Sequence, residues 1–332
     1  MPKPAVRIEE LIDRFSADHA CPARFLCDDH PADTVAFTVV ESDLTARDLT
    51  YGELRERSAR LAASLAEHGV GPGDAVATLM GKSAELVVSV LAIWRRGAVH
   101  VPLFTAFAPA AIAMRLDGGD ARMLIVDADQ RSKLDPSADM PADAPWRVVT
   151  VGDDRRDGDL SFDELIAGPA PAVEPAVTGP AAPFIMIFTS GTTGAPKGVP
   201  VPVRGLAHMV MYLEYGYDLR EQDVYWNAAD PGWAYGLYYA IVGPLAAGRR
   251  NILLRPGFRR NSRGGCSLNS VSPTSRLHPL SIEHCVTARH RPVCDCAVRR
   301  APANHSRPTC SPGLNRHSVF RSGISMARPR WE

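Results

Sequence analysis

Apolar runs alternate with amphipathic segments through the first half of the chain, and this alternation most constrains the fold. Thr50 and Glu53 form a capping-box pattern ahead of YGELRERSARLAASLAEHG, where leucines recur on one face and Gly69 marks the end. The apolar runs DAVATLM, AVHVPL and ARMLIVDAD are typical of buried strands, and helical segments separate them. Strands and helices at this spacing predict parallel βαβ units and an α/β fold.

A segment rich in proline and alanine interrupts this pattern. AGPAPAVEPAVTGPAAP, residues 167–183, cannot hold a regular helix or strand, because proline lacks an amide donor and fixes φ. We therefore expect a first α/β sub-domain at residues 1–166, a linker at 167–183 and a second, incomplete α/β sub-domain at 184–256.

The bulk composition is that of an ordinary globular protein, with 45% hydrophobic and 22% charged residues. The best apolar run, LVVSVLAIW from Leu86, ends at Arg95 and Arg96 and is too short to span a bilayer. The first residues carry charges where a signal peptide needs an apolar stretch. These features predict a cytoplasmic protein with no membrane partner.

The stretch FTSGTTGAPKG, Phe188 to Gly198, follows an apolar run and combines glycines, hydroxyls and one lysine. Glycines let successive amide N–H groups converge on an anion, hydroxyls donate to phosphate oxygens and lysine adds a point charge. It is not a Walker loop, because Pro196 stands where that pattern needs its second glycine. The alternative is a solvent-exposed turn. The predicted phosphate ligands are Thr189, Ser190, Gly191, Thr192, Thr193, Gly194 and Lys197.

This string resembles the signature loop of the AMP-forming adenylate-forming superfamily. DVYWNAADPGWAYGLYYAIVGPLAAG further resembles the acyl-pocket region of the acetyl- and medium-chain acyl-CoA synthetase branch, with Asp230, Gly232 and Trp233 in its characteristic turn. The resemblance covers roughly residues 30 to 256. One departure concerns substrate detail: Val203 stands where relatives often have a histidine.

The resemblance implies a ligase that converts a carboxylic acid, ATP and CoA to acyl-CoA, AMP and pyrophosphate, with Mg²⁺ sharing the grip on the phosphates. It implies that Trp233, Tyr235 and Gly236 line the acyl pocket; the alternative for Trp233 and Tyr235 is plain core packing. We assign no catalytic residue and no protein metal ligand. Lys82, in MGKSAE, is interpreted as a solvated residue ahead of a helix rather than a phosphate ligand.

The composition changes near Gly257. From there the chain has 13 Arg, no Lys, three acids and five of its seven cysteines, with no apolar periodicity. A basic nucleic-acid arm is one interpretation, and a zinc site is another, although its one close cysteine pair is C-x-C. The third is a coding sequence read out of frame.

The genetic code tests the third interpretation. When the last nucleotide of each codon is joined to the first two of the next, SRLHPLSIEHC permits AAAPTVYRAL, RAPANHS permits SAGEPL and MARPRWE permits GQTEMG. The acyl-CoA synthetase family carries all three segments, in this order. We therefore infer that one nucleotide is missing near the codons for Gly257 and Phe258, and we expect residues 257–332 to be disordered.

This frame break has functional consequences. We expect the family's adenine and Mg-ATP contacts and its C-terminal lid domain to be lost, leaving little or no ligase activity, since groups that act together fail together. The alternative is a non-catalytic nucleotide-binding remnant. A zinc or nucleic-acid binder is a remote alternative.

Overall fold

The computed structural model describes residues 4–41, 45–168, 174–189, 196–255 and 274–277. All of these residues belong to one compact unit, Met1–Val293. The helices are α1 Pro4–Phe15, α2 Tyr51–Glu67, α3 Ala84–Arg95, α4 Pro109–Gly118, α5 Phe162–Ile166, α6 Leu206–Met211, α7 Ala234–Gly236 and α8 Gly243–Ala247. The strands are β1 Val35–Val40, β2 Ala46–Thr50, β3 Ala75–Leu79, β4 Val99–Pro102, β5 Ala121–Asp127, β6 Arg147–Val151, β7 Leu160–Ser161, β8 Pro183–Thr189, β9 Lys197–Pro202, β10 Val224–Asn227, β11 Asn251–Leu254 and β12 Thr274–Leu277.

The larger sheet has seven strands in the order β7-β6-β5-β3-β4-β8-β9. Its neighbours pair in parallel from β7 to β8, and only β9 runs antiparallel, as the returning arm of a hairpin with β8. The three apolar runs in the first half of the sequence supply its centre, β3, β4 and β5. The predicted α/β class is confirmed.

The second sheet has five strands in the order β12-β10-β11-β1-β2. Strand β11 pairs in parallel with β1 and β10, whereas β2 and β12 are antiparallel edges. Each sheet thus includes strands from both sides of residues 167–183, and the division of the chain at that segment stays a prediction. Within this segment residues 167–168 and 174–182 lie in no helix or strand, as the prolines predict, whereas Pro183 is the first residue of β8.

Helix α3 lies in the core and explains why LVVSVLAIW is apolar on every side. All but one of the residues from Ala84 to Arg95 are buried. Trp94 is fully buried, and its indole N–H donates to the Phe184 carbonyl of β8 at 2.8 Å. The Arg95 guanidinium, also buried, pairs with Asp28 and donates to Ser58 of α2. This partnered cation lets the helix end inside the protein.

The ends of helix α2 follow the local sequence. The Glu53 amide donates to Thr50 Oγ1 at 3.2 Å, and the Thr50 amide donates to Glu53 Oε2 at 2.8 Å, so the predicted capping box is present. Gly69, just after the helix, has a φ of +86°, a conformation that favours glycine.

Two sequence expectations meet the limits of the described residues. Within residues 257–332 the structure describes only 274–277, which form β12 and pair with β10, so the predicted disorder is wrong for these four residues. For the rest of that segment the prediction lies outside the described residues. A search of the described residues finds no helix with the length and hydrophobicity needed to cross a membrane.

Candidate functional site

The candidate site lies where four parallel strands of the seven-stranded sheet end. Strands β5, β3, β4 and β8 are consecutive neighbours, so their carboxyl ends and the loops that follow share one edge, here called the carboxyl edge. Open α/β sheets bind ligands at this edge. The four strands end here at Asp127, Leu79, Pro102 and Thr189.

The predicted phosphate loop is the connection of the β8–β9 hairpin. Thr189 and Lys197 face each other in the last register pair of the two strands, and both are exposed. The loop therefore starts and ends at the carboxyl edge, beside β4. The other five predicted phosphate ligands lie outside the described residues: Ser190, Gly191, Thr192, Thr193 and Gly194.

The segment from Asn227 to Gly236, here called the 227–236 turn, carries the residues predicted for the acyl pocket. Its own side chains shape it: Asn227 Oδ1 accepts the Ala229 amide at 2.8 Å, and Asp230 Oδ1 accepts the Gly232 amide at 2.7 Å. The second oxygen of Asp230 accepts the Thr105 hydroxyl at 2.6 Å. The turn, which follows a strand of the five-stranded sheet, is thereby bound to the loop after β4.

Two glycines allow this turn to pack main chain against main chain. A Cβ on Gly232 would lie 2.3 Å from the Leu103 carbonyl oxygen, and one on Gly236 would lie 1.9 Å from the Asp230 carbonyl oxygen. Neither position has space for any side chain. Gly236 is itself buried, and its contribution to the lining of an acyl pocket stays a prediction.

Trp233 projects from the turn into an aromatic cluster and remains 45% exposed. Its ring centroid lies 5.3 Å from that of Phe104 and 5.6 Å from that of Phe107. The Arg115 guanidinium lies 4.0 Å from the Phe107 ring centroid. Tyr235 is 40% exposed. Side chains this exposed are not core residues, so plain core packing, the alternative interpretation of both aromatic residues, is wrong.

Tyr235 belongs to a cluster of tyrosines. The hydroxyl groups of Tyr217 and Tyr235 are hydrogen-bonded at 2.9 Å, and the rings of Tyr212, Tyr217 and Tyr239 lie 4.9 to 5.7 Å apart. Burial raises the pKa of Tyr238 to about 12, so its phenol is neutral at physiological pH. This tyrosine cluster offers aromatic surface and neutral hydroxyl groups rather than charged side chains.

Lys82 is buried, so its interpretation as a solvated residue is wrong. The side chain is in the loop between β3 and α3, with the residue 7% exposed, and its Nζ donates to the Asn227 carbonyl oxygen at 2.7 Å. Burial lowers the pKa of Lys82 to about 8, while the Asp230 carboxylate acts in the opposite direction. The hydrogen-bond acceptor is at the end of β10, far from Lys82 in sequence, so the local string MGKSAE does not indicate the burial.

Asp127 fixes the same loop from the other side. Its Oδ2 accepts the Gly81 amide at 2.7 Å, and burial raises the pKa of the carboxyl group to about 6. Lys82 and Asp127 therefore place two perturbed ionisable groups at the carboxyl edge, which is a frequent property of functional sites.

Sequence reasoning missed Phe104, Phe107 and Thr105 as parts of this site. The signal was available in LFTAF, which directly follows the buried run AVHVP and carries two aromatic residues into a loop. No group of three or more His, Cys, Asp or Glu residues within the described ranges is placed to hold a metal ion.

Comparison with known proteins identifies the family. The family model described as "AMP-binding enzyme" matches residues 26–266. The acetyl-coenzyme A synthetase of Beijerinckia indica subsp. indica is 33% identical over 225 residues, which cover 63% of this chain and 35% of that protein. The acetyl-coenzyme A synthetase of Marinobacter nauticus is 33% identical over 241 residues, covering 66% and 37%. The chain thus spans about a third of the length of these relatives.

A solved structure agrees with these sequence relatives. The crystal structure of an acyl-CoA synthetase from Brucella canis matches with a TM-score of 0.69 and 38% sequence identity, covering 76% of this chain and 46% of that one. The resemblance seen in FTSGTTGAPKG and in the Asp230–Trp233 turn is therefore confirmed, and the chain belongs to the AMP-binding enzyme family, alongside the acetyl- and acyl-CoA synthetases that it matches.

Proposed function

We propose that the site of this chain is built for the AMP-forming activation of a carboxylic acid. A carboxylate oxygen attacks the α-phosphorus of ATP, the bond to the β-phosphate oxygen breaks, and pyrophosphate leaves. The sulfur of CoA then attacks the acyl carbon, the bond to AMP breaks, and the thiol proton passes to solvent. The observation that carries the proposal is that the 227–236 turn is hydrogen-bonded to the loop after β4. The strand next to β4 is β8, which leads into the predicted phosphate loop.

In this proposal the phosphate loop holds the β- and γ-phosphates of ATP. Thr189 and Lys197 are exposed at the two ends of the loop, where a hydroxyl and an ammonium group can meet an anion. The five remaining ligands in the loop, Ser190 to Gly194, are assigned on the family resemblance alone. Mg²⁺ would supply charge neutralisation on the polyphosphate.

We assign the carboxylic acid to the aromatic side of the site. Trp233 and Tyr235 present exposed aromatic surface beside the carboxyl edge, and Phe104 and Phe107 fix the orientation of the tryptophan ring. A large rigid ring leaves room for a short or medium acyl chain and excludes longer ones. Gly236 contributes by letting the turn close. The relatives named acetyl-coenzyme A synthetase support a small acid. The proposed compartment is the cytoplasm.

We further propose that this chain is catalytically impaired by a change of reading frame near Gly257. The family match ends at residue 266, close to the change in composition. The groups expected to be encoded beyond that point would contact adenine and Mg-ATP. Loss of part of a preorganised site removes most of the rate.

ATP–pyrophosphate exchange, dependent on added acetate, propionate, butyrate or hexanoate, tests both proposals. The chain as it stands is compared with a version in which one nucleotide is inserted at the codons for Gly257 and Phe258. We expect exchange from the frame-corrected protein and at least a thousandfold less from this chain, roughly the loss seen when cooperating catalytic groups are removed. Equal exchange from both would refute the impairment, and no exchange from either would refute the assigned chemistry.

The second candidate function is a nucleotide-binding remnant. It is favoured by the presence of the β8–β9 hairpin in a chain whose later segments we infer to be out of frame. Equilibrium dialysis with labelled ATP, read together with the exchange assay, distinguishes the two candidate functions. A nucleotide-binding remnant binds ATP in both versions of the protein and supports pyrophosphate exchange in neither.

A further inference from the structure

Lys82 is a buried ammonium group that joins the two sheets. It belongs to the loop after β3 of the seven-stranded sheet, and its Nζ donates to the Asn227 carbonyl, at the last residue of β10 in the five-stranded sheet. The bond spans 2.7 Å and is fully enclosed. The 227–236 turn begins at this carbonyl.

The same turn is attached at its next polar residue. Asp230 accepts the Thr105 hydroxyl, and the main-chain carbonyl of Thr105 accepts the ammonium of Lys133. Asn227 also donates through Nδ2 to the Tyr225 hydroxyl at 3.2 Å. Lys82 therefore fixes the point from which the turn departs, while Thr105 fixes its middle.

An ammonium group in this place needs a physical reason. Burying a charge is unfavourable unless it is paired or hydrogen-bonded, and an apolar side chain of similar length would fill the same space at no such cost. Lys82 donates to the carbonyl at the last residue of β10, and the Asp230 carboxylate compensates its charge. A bond from a charged donor is stronger than a neutral one, so it suits a joint between two elements.

We propose that Lys82 is a positioning residue for the carboxylic-acid side of the site: by holding the Asn227 carbonyl, it fixes the 227–236 turn and the Trp233 ring against the carboxyl edge. This role in substrate placement depends on the proposed function, whereas the structural tie does not. Lys82 acts through the turn and is not assigned any contact with the substrate.

Hydrogen exchange measured by mass spectrometry tests the tie in the full chain, with no need for activity. The reporters are the amides of Ala229, Gly232, Trp233 and Leu237, each of which is hydrogen-bonded within the turn or to it. In Lys82→Met we expect peptides covering residues 228–237 to exchange at least tenfold faster, with protection in β3, β4 and β5 unchanged.

Arg131→Met is the matched control. It also removes a buried cation, whose ion-pair partners Asp159 and Asp135 both lie outside the 227–236 turn. We expect Arg131→Met to leave the protection of residues 228–237 at the wild-type level. Unchanged protection in Lys82→Met, or an equal loss in both variants, would overturn the proposal.

A second measurement separates positioning from general stability. In the frame-corrected protein, Lys82→Met should raise KM for the carboxylic acid at least tenfold and leave KM for ATP within twofold, because the phosphate hairpin belongs to other strands. Equal changes in both values would refute the positioning role. If no version of the protein exchanges pyrophosphate, the proposed function fails, but the hydrogen-exchange result still decides whether Lys82 holds the turn.

Discussion

The phosphate loop and the 227–236 turn meet at the same edge but are built in opposite ways. The loop concentrates its chemistry in one continuous string, Phe188 to Gly198, between two paired strands. The turn depends on partners from distant parts of the chain: Lys82, Thr105 and the rings of Phe104 and Phe107. In the proposed function, a binding site for a constant ligand such as polyphosphate is built locally, whereas the support of the surface that would bind the acid is assembled by packing.

This difference predicts different consequences of mutation. A substitution in the loop should remove catalysis and leave the fold intact, because Thr189 and Lys197, at its two described ends, are exposed. A substitution in or under the turn should change local stability first and acid binding as a result. The substitutions below test this contrast, from the largest expected effect to the smallest.

Gly236→Ala should have the largest effect. The added Cβ would lie 1.9 Å from the Asp230 carbonyl oxygen and 2.5 Å from its carbon, and backbone atoms cannot move aside as a flexible side chain can. We expect a loss of more than about 3 kcal/mol in the free energy of unfolding, at or above the usual range for overpacking. Urea denaturation followed by circular dichroism measures it.

Gly168→Ala is the control for that change, since no atom lies within 4 Å of the Cβ it would add. It should stay within about 0.5 kcal/mol of wild type, as surface substitutions usually do. A Gly236→Ala protein as stable as Gly168→Ala would show that the close packing of the turn is not required for the fold.

Lys197→Ala should separate the loop from the turn. In the frame-corrected protein we expect acid-dependent exchange to fall about a hundredfold or more, the scale seen when one preorganised electrostatic contact is removed. The midpoint of unfolding should not change, because the side chain is exposed. Exchange at the wild-type rate would remove Lys197 from the proposed phosphate grip.

The sequence predicted the parts of the fold that local physics determines. The capping box at Thr50, the buried strands β3 to β5 and the largely apolar helix α3 follow from patterns within a few residues. The pairing of β1 with β11 and the addition of β8 beside β4 did not follow, because strand order depends on contacts between distant segments.

The same limit applies to the candidate site. Trp233 and Tyr235 were identified by resemblance, and the structure adds that both are exposed. The string MGKSAE precedes a helix and contains nothing that indicates burial, so it predicts an exposed Lys82. The side chain is buried against the end of β10, where its Nζ donates to the Asn227 carbonyl. The polarity of neighbouring residues therefore does not show that a charged side chain is buried when its partner is a strand end elsewhere in the chain.

The pH dependence of stability sharpens this point. Lys82 has a lowered pKa of about 8 in the folded chain, against an ordinary value of 10.5, so between these values the folded state binds fewer protons than the unfolded state. The free energy of unfolding therefore rises with pH across this window. Relative to Lys82→Met, wild type should gain about 2 kcal/mol between pH 7.5 and 9.5.

Urea denaturation of both proteins at the two pH values gives this difference, in which the titration of all other groups cancels. Lys82→Arg, whose guanidinium stays charged over the range, is the control and should show no such gain relative to Lys82→Met. A wild-type gain no larger than that of Lys82→Arg would mean that the ammonium group is as well solvated when folded as when unfolded.

Thr105→Val should have the smallest effect and tests the second attachment of the turn. The change keeps the shape of the side chain but removes the hydroxyl that donates to Asp230 Oδ2 at 2.6 Å, which leaves that oxygen without this donor. We expect a loss of about 1–2 kcal/mol in the free energy of unfolding. Thr105→Ser retains the hydroxyl and should recover most of it. If valine is as stable as threonine while Lys82→Met still releases the turn, the joint between the sheets rests on the ammonium group, and Thr105 only orients Asp230.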